Sequence, residues 1–317
     1  MFRLLLASLV ALFASQAAAQ GFPSKPVRLI VPFPAGGGSD VVGRIVALKL
    51  SDVLGQQVVV DNRPGAGGSI GTEAAVRAAP DGYTMVLAST SEIAVNPAIY
   101  SKLSYDTLKD LAPVGMVATT PMVLIVAPQL PVKTVSDFVA LAKAKGTQLN
   151  VASAGNGSFT HLAGEFFRSL AGLKWTHVPY KGAPPAITDL AAGRADAMFS
   201  TLPAAMSFIR SNLVKPVAVS SPARVTTLDV PTVVESGVPY EAEYWYGIFV
   251  PSATPKDVVA RLSQALGQTL AAQETVDNLA KQGASPARIA PDQFEAYVRT
   301  EHAKWGKVAR DSGARVD

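Results

Sequence analysis

Short apolar runs that break into glycine-rich loops, each followed by residues at helical spacing, set the strongest constraint on how this chain folds. Val27–Val31 leads into "PFPAGGGSD" (32–40) and then into a stretch where Val41, Ile45 and Leu48 share one helical face at i, i+4 and i+7. Val58–Asp61 leads into "NRPGAGGSIG" (62–71) and a helix carrying Ala74, Ala75 and Ala78, and Tyr83–Leu87 leads into the polar loop "ASTSE" (88–92). Three strand-loop-helix units in a row predict an α/β domain with a parallel sheet covered by helices.

The pattern restarts near Met122–Ala127. It continues with a helix over about 136–145 (Val139 and Ala142 inward), a strand at Asn150–Ala152 and the loop "SAGNGSFTHL" (153–162). A helix ending near Gly172 follows, then a strand at Lys174–Pro179, the turn "YKGAPPAI" (180–187) into another helix, and strands at Ala197–Phe199 and Val217–Val219. The run "YWYGIFV" (244–250) is a further strand, assigned to hinge-strand core rather than to a ligand wall. Two or three amphipathic helices close the chain, the last carrying Phe294, Tyr297, Val298, Trp305 and Val308 on one face. No second set of strands accompanies them, so they are expected to pack back on the first domain. The chain then crosses between domains twice, near 119–124 and 244–250. This predicts a two-lobed binding-protein fold of the Venus-flytrap type (type II-like), with two crossover hinge strands. Lobe 1 comprises 20–121 and 248–317, and lobe 2 comprises 122–247.

Residues 1–19 are expected to be removed. Arg3, the apolar stretch Leu4–Phe13 and Ala17-Ala18-Ala19 form a signal-peptide pattern cut after Ala19, and ten or so apolar residues are too few to span a bilayer. The mature chain is therefore expected in the periplasm, without insertion into the membrane. The sequence contains no cysteine, so stability must come from burial rather than cross-links. Its 28 Lys and Arg against 24 Asp and Glu are scattered, which argues against nucleic acid as a partner. The three histidines lack metal-ligand spacing, and no cofactor is expected. No lysine follows the glycines of 32–40, and the dinucleotide pattern fails where Val41 and Thr160 stand in place of glycine.

"GGSIG" (67–71) matches the serine-hydrolase elbow formally, but Ser69 lies eight residues beyond Asp61 rather than on a turn directly after a strand. A helix N-cap role for Ser69 is expected instead. What survives is anion binding by loops 32–40, 62–70 and 153–160 at helix N-termini, with hydroxyls from Ser39, Ser69, and Ser158 or Thr160. Neutral donors suit a carboxylate better than a phosphate. Asp40 reads as a first-turn acid favoured by the helix dipole, or as an acceptor for a ligand ammonium or bridging water. His161 either donates to a ligand or caps its helix.

The stretches "VRLIVPFPAGGGSDVVGRIVA", "VVVDNRPGAGGSIGTEAAVRAAPDGYT", "NVASAGNGSFTHLAGEFF", "HVPYKGAPPAITDLAAGRADAMF" and "WYGIFVPSATP" resemble the Bug family, the periplasmic solute receptors of tripartite tricarboxylate transporters. The resemblance implies a non-enzymatic, monomeric receptor that binds a small organic acid and hands it to membrane permease subunits. It places Phe33, Ala35, Gly37, Ser39 and Asp40 on one lobe, with Gly68, Thr90 and Ser91 nearby. Asn156, Gly157, Ser158 and His161 face them from the other lobe, joined by Lys181 and Thr201. Thr201 stands where the family often carries an amide, and Glu92, atypical for the family, is expected to select an amine-bearing or less charged ligand. The alternatives are a sensor accessory that presents ligand to a membrane kinase, and a hydrolase using Ser69.

Overall fold

In the computed structural model, which describes residues 21–287, 289, 291–312 and 316, one sheet threads both halves of the protein. The expected signal segment 1–19 lies outside the described residues. The first half is built from β1 (Val27–Val31), α1 (Gly38–Leu54), β2 (Val58–Asn62), α2 (Ser69–Val76) and β3 (Thr84–Ser89). A π-turn (Ser91–Val95) runs from there into α3 (Asn96–Ile99). β4 (Leu111–Val126) leads to the second half: α4 (Val135–Lys145), β5 (Asn150–Ser153), α5 (Phe159–Leu170), β6 (Thr176–Pro179), α6 (Ala183–Ala191), β7 (Ala197–Thr201), α7 (Leu202–Arg210) and β8 (Lys215–Val219). The chain returns through β9 (Glu243–Pro251), α8 (Lys256–Ala271), α9 (Gln273–Lys281), β10 (Ser285–Pro286) and α10 (Pro291–Ser312).

Strand order is β2-β1-β3-β9-β4-β7-β5-β6, with β8 and β10 also on β4. β1, β2 and β3 are parallel, as the helical connections require, while β9 lies antiparallel between β3 and β4. β4 is the continuous link: Leu111–Pro121 pairs with β9, and Met122–Val126 pairs with β7 and β8. The change of partner falls between Pro121 and Met122. The second crossing lies earlier than 244–250. β9 is already paired with β4 at Glu243, whereas Ala242 still donates its N–H to Ser220 O at 3.3 Å. Apolar composition cannot separate an interior strand from a hinge, because either role buries the same aromatic run.

Two local expectations shift. In α1 the buried stripe is Val42, Val46, Leu50 and Leu54, and Leu48 is 66% exposed. The run "VVGRIVALKL" carries two overlapping apolar stripes. Gly43, which approaches the side chains of Val31 and Leu87, decides which one meets the sheet. The polar loop 88–92 is instead the buried end of β3 and the start of the π-turn, so its hydroxyls face the interior. The closing helices do return to the first sheet, where β10 adds a two-residue strand to β4 at Ala118 and Thr119.

Trp305 of α10 fastens this closure. It is fully buried, meets the Phe159 ring edge-on with centroids 4.5 Å apart, and donates its indole N–H to Glu301 Oε2 at 2.8 Å. Trp305→Ala is expected to lower stability by about 3–5 kcal/mol, read from urea unfolding followed by circular dichroism. A loss under about 1 kcal/mol would mean that α10 docking lies outside the cooperative fold.

Candidate functional site

Ridges from both halves meet at the C-terminal ends of the parallel strands, where open α/β sheets place ligands. The inner cavity is lined by Phe33, Pro34 and Gly37–Ser39 from one side and by Ala154, Ser158, Thr160 and Ala183 from the other. Ser91, Thr201, Tyr244 and Tyr246 complete it, and it encloses about 30 Å³. An outer cavity of about 500 Å³ shares Phe33, Pro34 and Ala154 with it and is walled by Pro64–Gly68, Tyr100, Gly155, Asn156 and Pro179–Gly182.

The two halves touch across this space. Phe159 N–H donates to Ser91 Oγ at 3.0 Å, and Tyr100 Oη donates to the Asn156 carbonyl at 3.3 Å. Gly38 sits so close to Thr201 and Tyr246 that a Cβ on it would lie 2.3 Å from Thr201 Oγ1 and 2.8 Å from Tyr246 Oη. Glycine is required here for room, since its φ is not in the left-handed region. The lobes are shut.

Chemically the inner cavity is a ring of neutral donors at a helix start. Gly37 is the N-cap of α1 with no side-chain cap, so the first amides of α1 belong to the four that no helix can satisfy internally. Asp40 does not compete with an anion there. Its Oδ2 accepts Gly36 N–H at 2.9 Å, and its oxygens also take Arg44 Nε and Asn62 Nδ2. Burial pushes this carboxyl up, but those hydrogen bonds and the Arg44 charge more than offset that and hold it below the ordinary aspartate range. The third loop is more self-contained. Ser158 caps α5 by accepting His161 N–H at 3.3 Å, bonds to Gly155 O at 2.7 Å, and shares a contact of 2.8 Å with Thr160 Oγ1.

Of the residues expected from the sequence, Phe33, Gly37, Ser39, Ser91, Ser158 and Thr201 line the inner cavity, and Gly68, Asn156 and Lys181 line the outer one. Five stand elsewhere. Ala35 is exposed at the loop tip, and Asp40 is the internal acceptor just described. Thr90 Oγ1 accepts Trp245 N–H at 3.0 Å and pins β9. A Cβ on Gly157 would strike the Tyr100 ring. His161 turns away from the cavity and stacks on His177, with centroids 3.9 Å apart and planes 8° from parallel, and Thr160 takes the lining position instead.

The sequence favours core over a ligand wall for Tyr244 and Tyr246. They are buried, yet both line the cavity, while Trp245 between them points the other way to Glu301 and Phe294. Period-two alternation along a strand carries that signal. Glu92 lines neither cavity. It is fully buried behind Gly68, whose added Cβ would come within 2.8 Å of Glu92 Oε1, so it selects no ligand by contact. Ser69 is the first residue of α2, after the left-handed N-cap Gly68, and its hydroxyl bonds to the Ala66 carbonyl at 2.8 Å rather than to a histidine. The N-cap reading of Ser69 falls with that placement.

The family described as "Tripartite tricarboxylate transporter family receptor" matches residues 42–314. Protein BugT of Bordetella pertussis is 37% identical over 306 residues, which cover 96% of this chain and 94% of that one. Among solved structures, R. palustris Rpa4515 with adipate superposes with a TM-score of 0.90 at 34% identity, covering 93% of this chain and all of that one. MatC (Rpa3494) from Rhodopseudomonas palustris with bound malate gives a TM-score of 0.86 at 32% identity, covering 90% of this chain and 99% of that one.

Proposed function

The chain belongs to the tripartite tricarboxylate transporter receptor family, the Bug family of the sequence resemblance, and from that premise we propose how this receptor holds its solute. It binds a small carboxylated compound between its lobes for delivery to a tripartite permease. One carboxylate occupies the inner cavity at the start of α1, and the rest of the molecule extends into the outer cavity toward Asn156 and Lys181. The observation that carries this is the inner lining: seven hydroxyl-bearing residues (Ser39, Ser91, Ser158, Thr160, Thr201, Tyr244 and Tyr246) surround the uncapped start of α1, with no lysine or arginine among the lining residues. Such a site binds a single anionic group reversibly.

The protein acts by capture rather than catalysis, works as a monomer, and reaches the periplasm by cleavage after Ala19. Opening occurs about Pro121 of β4 and the segment preceding Glu243, where, among the described residues, the chain passes between the lobes.

The test is a thermal-shift screen of refolded protein against adipate and malate, each paired with its amide. An acid at 100 times its Kd is expected to stabilise the fold by about 2.7 kcal/mol, a rise of roughly 5 °C or more, and its amide to give none. A rise with amides, sugars or amines and none with acids would overturn the carboxylate reading.

A further inference from the structure

Behind the inner cavity lies a carboxyl group that the binding scheme does not use. Glu92 has no accessible surface, and among the described residues no lysine or arginine is bonded to it. Its Oε2 accepts Ser89 N–H at 3.0 Å and the Ser89 hydroxyl, while Oε1 is buried without a hydrogen-bond partner. A bare carboxylate in that position is costly. Ser89 Oγ is bonded in turn to Tyr244 Oη at 2.5 Å, and Tyr244 Oη to Ser91 Oγ at 3.3 Å. Tyr244 and Ser91 both line the cavity. An unbroken hydroxyl chain thus joins the buried acid to the anion site.

The proton on Glu92 sets the direction of that chain, because each hydroxyl has one hydrogen to give. With Glu92 ionised, Ser89 donates to it and Tyr244 donates to Ser89, so Tyr244 turns a lone pair toward the cavity. With Glu92 protonated, Glu92 donates to Ser89, Ser89 donates to Tyr244, and Tyr244 is released to donate inward. Ser91, which already accepts Phe159 N–H, must give its own hydrogen to Tyr244 while Glu92 is ionised, and has it free for the cavity once Glu92 is protonated.

Resting on the carboxylate reading above, we propose that the receptor takes up one proton from solvent with its anionic ligand, stored on Glu92 and relayed through Ser89 and Tyr244 as an added donor to the bound carboxylate. Glu92 is a positioning residue in this scheme, acting through Tyr244 without touching the ligand. Burial raises its carboxyl to about 7, which makes the group titratable in the working range. The titratable groups facing it are tyrosines: Tyr105 from the segment after α3, and Tyr244 and Tyr246 from β9. On the other elements packed on the π-turn, Glu301 of α10 is held by Lys304 and the indoles of Trp245 and Trp305. His302 lies in the field of Asp106, and His161 of α5 stacks on His177.

The experiment is titration calorimetry with the acid, adipate or malate, that stabilises the protein in the thermal screen, run at pH 8 in HEPES and in Tris, whose ionisation enthalpies differ. Wild type is expected to take up close to one proton per ligand, with Kd weakening toward tenfold per pH unit above neutrality. Glu92→Gln is expected to bind with no proton uptake and a flat pH profile, and Ser89→Ala, which cuts the relay, to lose the uptake as well. A clear isotherm for wild type without proton uptake overturns the proposal and leaves the carboxylate reading standing. Uptake that persists in Glu92→Gln overturns it too. If neither acid gives an isotherm, the carboxylate reading fails and this proposal with it.

Discussion

Gly38→Ala is expected to weaken acid binding by about 100-fold, some 2.7 kcal/mol, a larger loss than the unliganded protein suffers in stability. The single methyl group lands 2.3 Å from Thr201 Oγ1 and 2.8 Å from Tyr246 Oη, distances at which something must move. Both obstructing atoms belong to buried residues, Thr201 at the start of α7 and Tyr246 inside β9, so neither yields cheaply. The lobes must therefore stop about 1 Å short of closure, and displacements of that size cost about two orders of magnitude where several donors must converge on one group. In the open form the contact with Thr201, which belongs to the other half, is gone, and only the approach to Tyr246 Oη in the same sheet remains, while alanine is the better helix residue at the first position of α1. Titration calorimetry on the variant decides the matter. Adding Thr201→Ala removes the nearest atom and is expected to restore part of the affinity. A Kd within threefold of wild type for Gly38→Ala would show that capture does not need the closed contact between Gly38 and Thr201.

Acid is expected to loosen the second half of the protein through its paired histidines. His161 and His177 stack face to face, and His177 Nε2 is bonded to Ser153 Oγ at 2.7 Å. Burial pushes both imidazoles down to about 4 from an ordinary value of 6.5, helped by the Arg168 charge at His161 and by His161 at His177. A base depressed on folding contributes stability that is complete above its unfolded pKa and lost as pH falls through the folded one. The window is therefore pH 6.5 down to 4. The upper limit is about 3 kcal/mol for His161 and less for the partly exposed His177, where solvent screens the charge. Glu92 works in the opposite direction. Its raised carboxyl contributes stability below about 4.5 that disappears as pH rises through about 7, so wild type alone mixes the two effects. The difference between wild type and His161→Phe/His177→Phe isolates the pair. The advantage of wild type over the double variant in urea unfolding is expected to shrink steadily between pH 6.5 and 4. A difference that stays constant across that range would mean the stacked rings titrate as they do in the unfolded chain.

Much of the site was legible because it is built from backbone. Gly37, Ser39 and Ser158 could be placed from glycine and hydroxyl spacing at helix starts, since a helix N-terminus offers its amides wherever it forms. Thr201 and Lys181 came only from the family resemblance. Side chains whose direction depends on a rotation were misjudged. His161 sits three residues after its N-cap, a position that points into its own lobe once β6 brings His177 alongside. Thr160, one residue earlier, meets the cavity. Glu92 and Thr90 read as loop residues near a ligand, but the π-turn winds both into the interior.

The sequence by itself determined the alternation of strands and helices and the three glycine loops, and with the family resemblance it pointed to an α/β receptor for a small organic acid. These follow from local periodicity and from which backbone conformations glycine permits. Only the tertiary structure decided which stripe of α1 faces the sheet, that β9 lies inside the first sheet with Tyr244 and Tyr246 turned to the cavity, and that the buried Glu92 is joined through Ser89 to Tyr244. Such features depend on contacts between residues far apart in the chain, such as Glu92 with Ser89 and Tyr244, or Gly38 with Thr201. No local pattern encodes which distant surface will arrive.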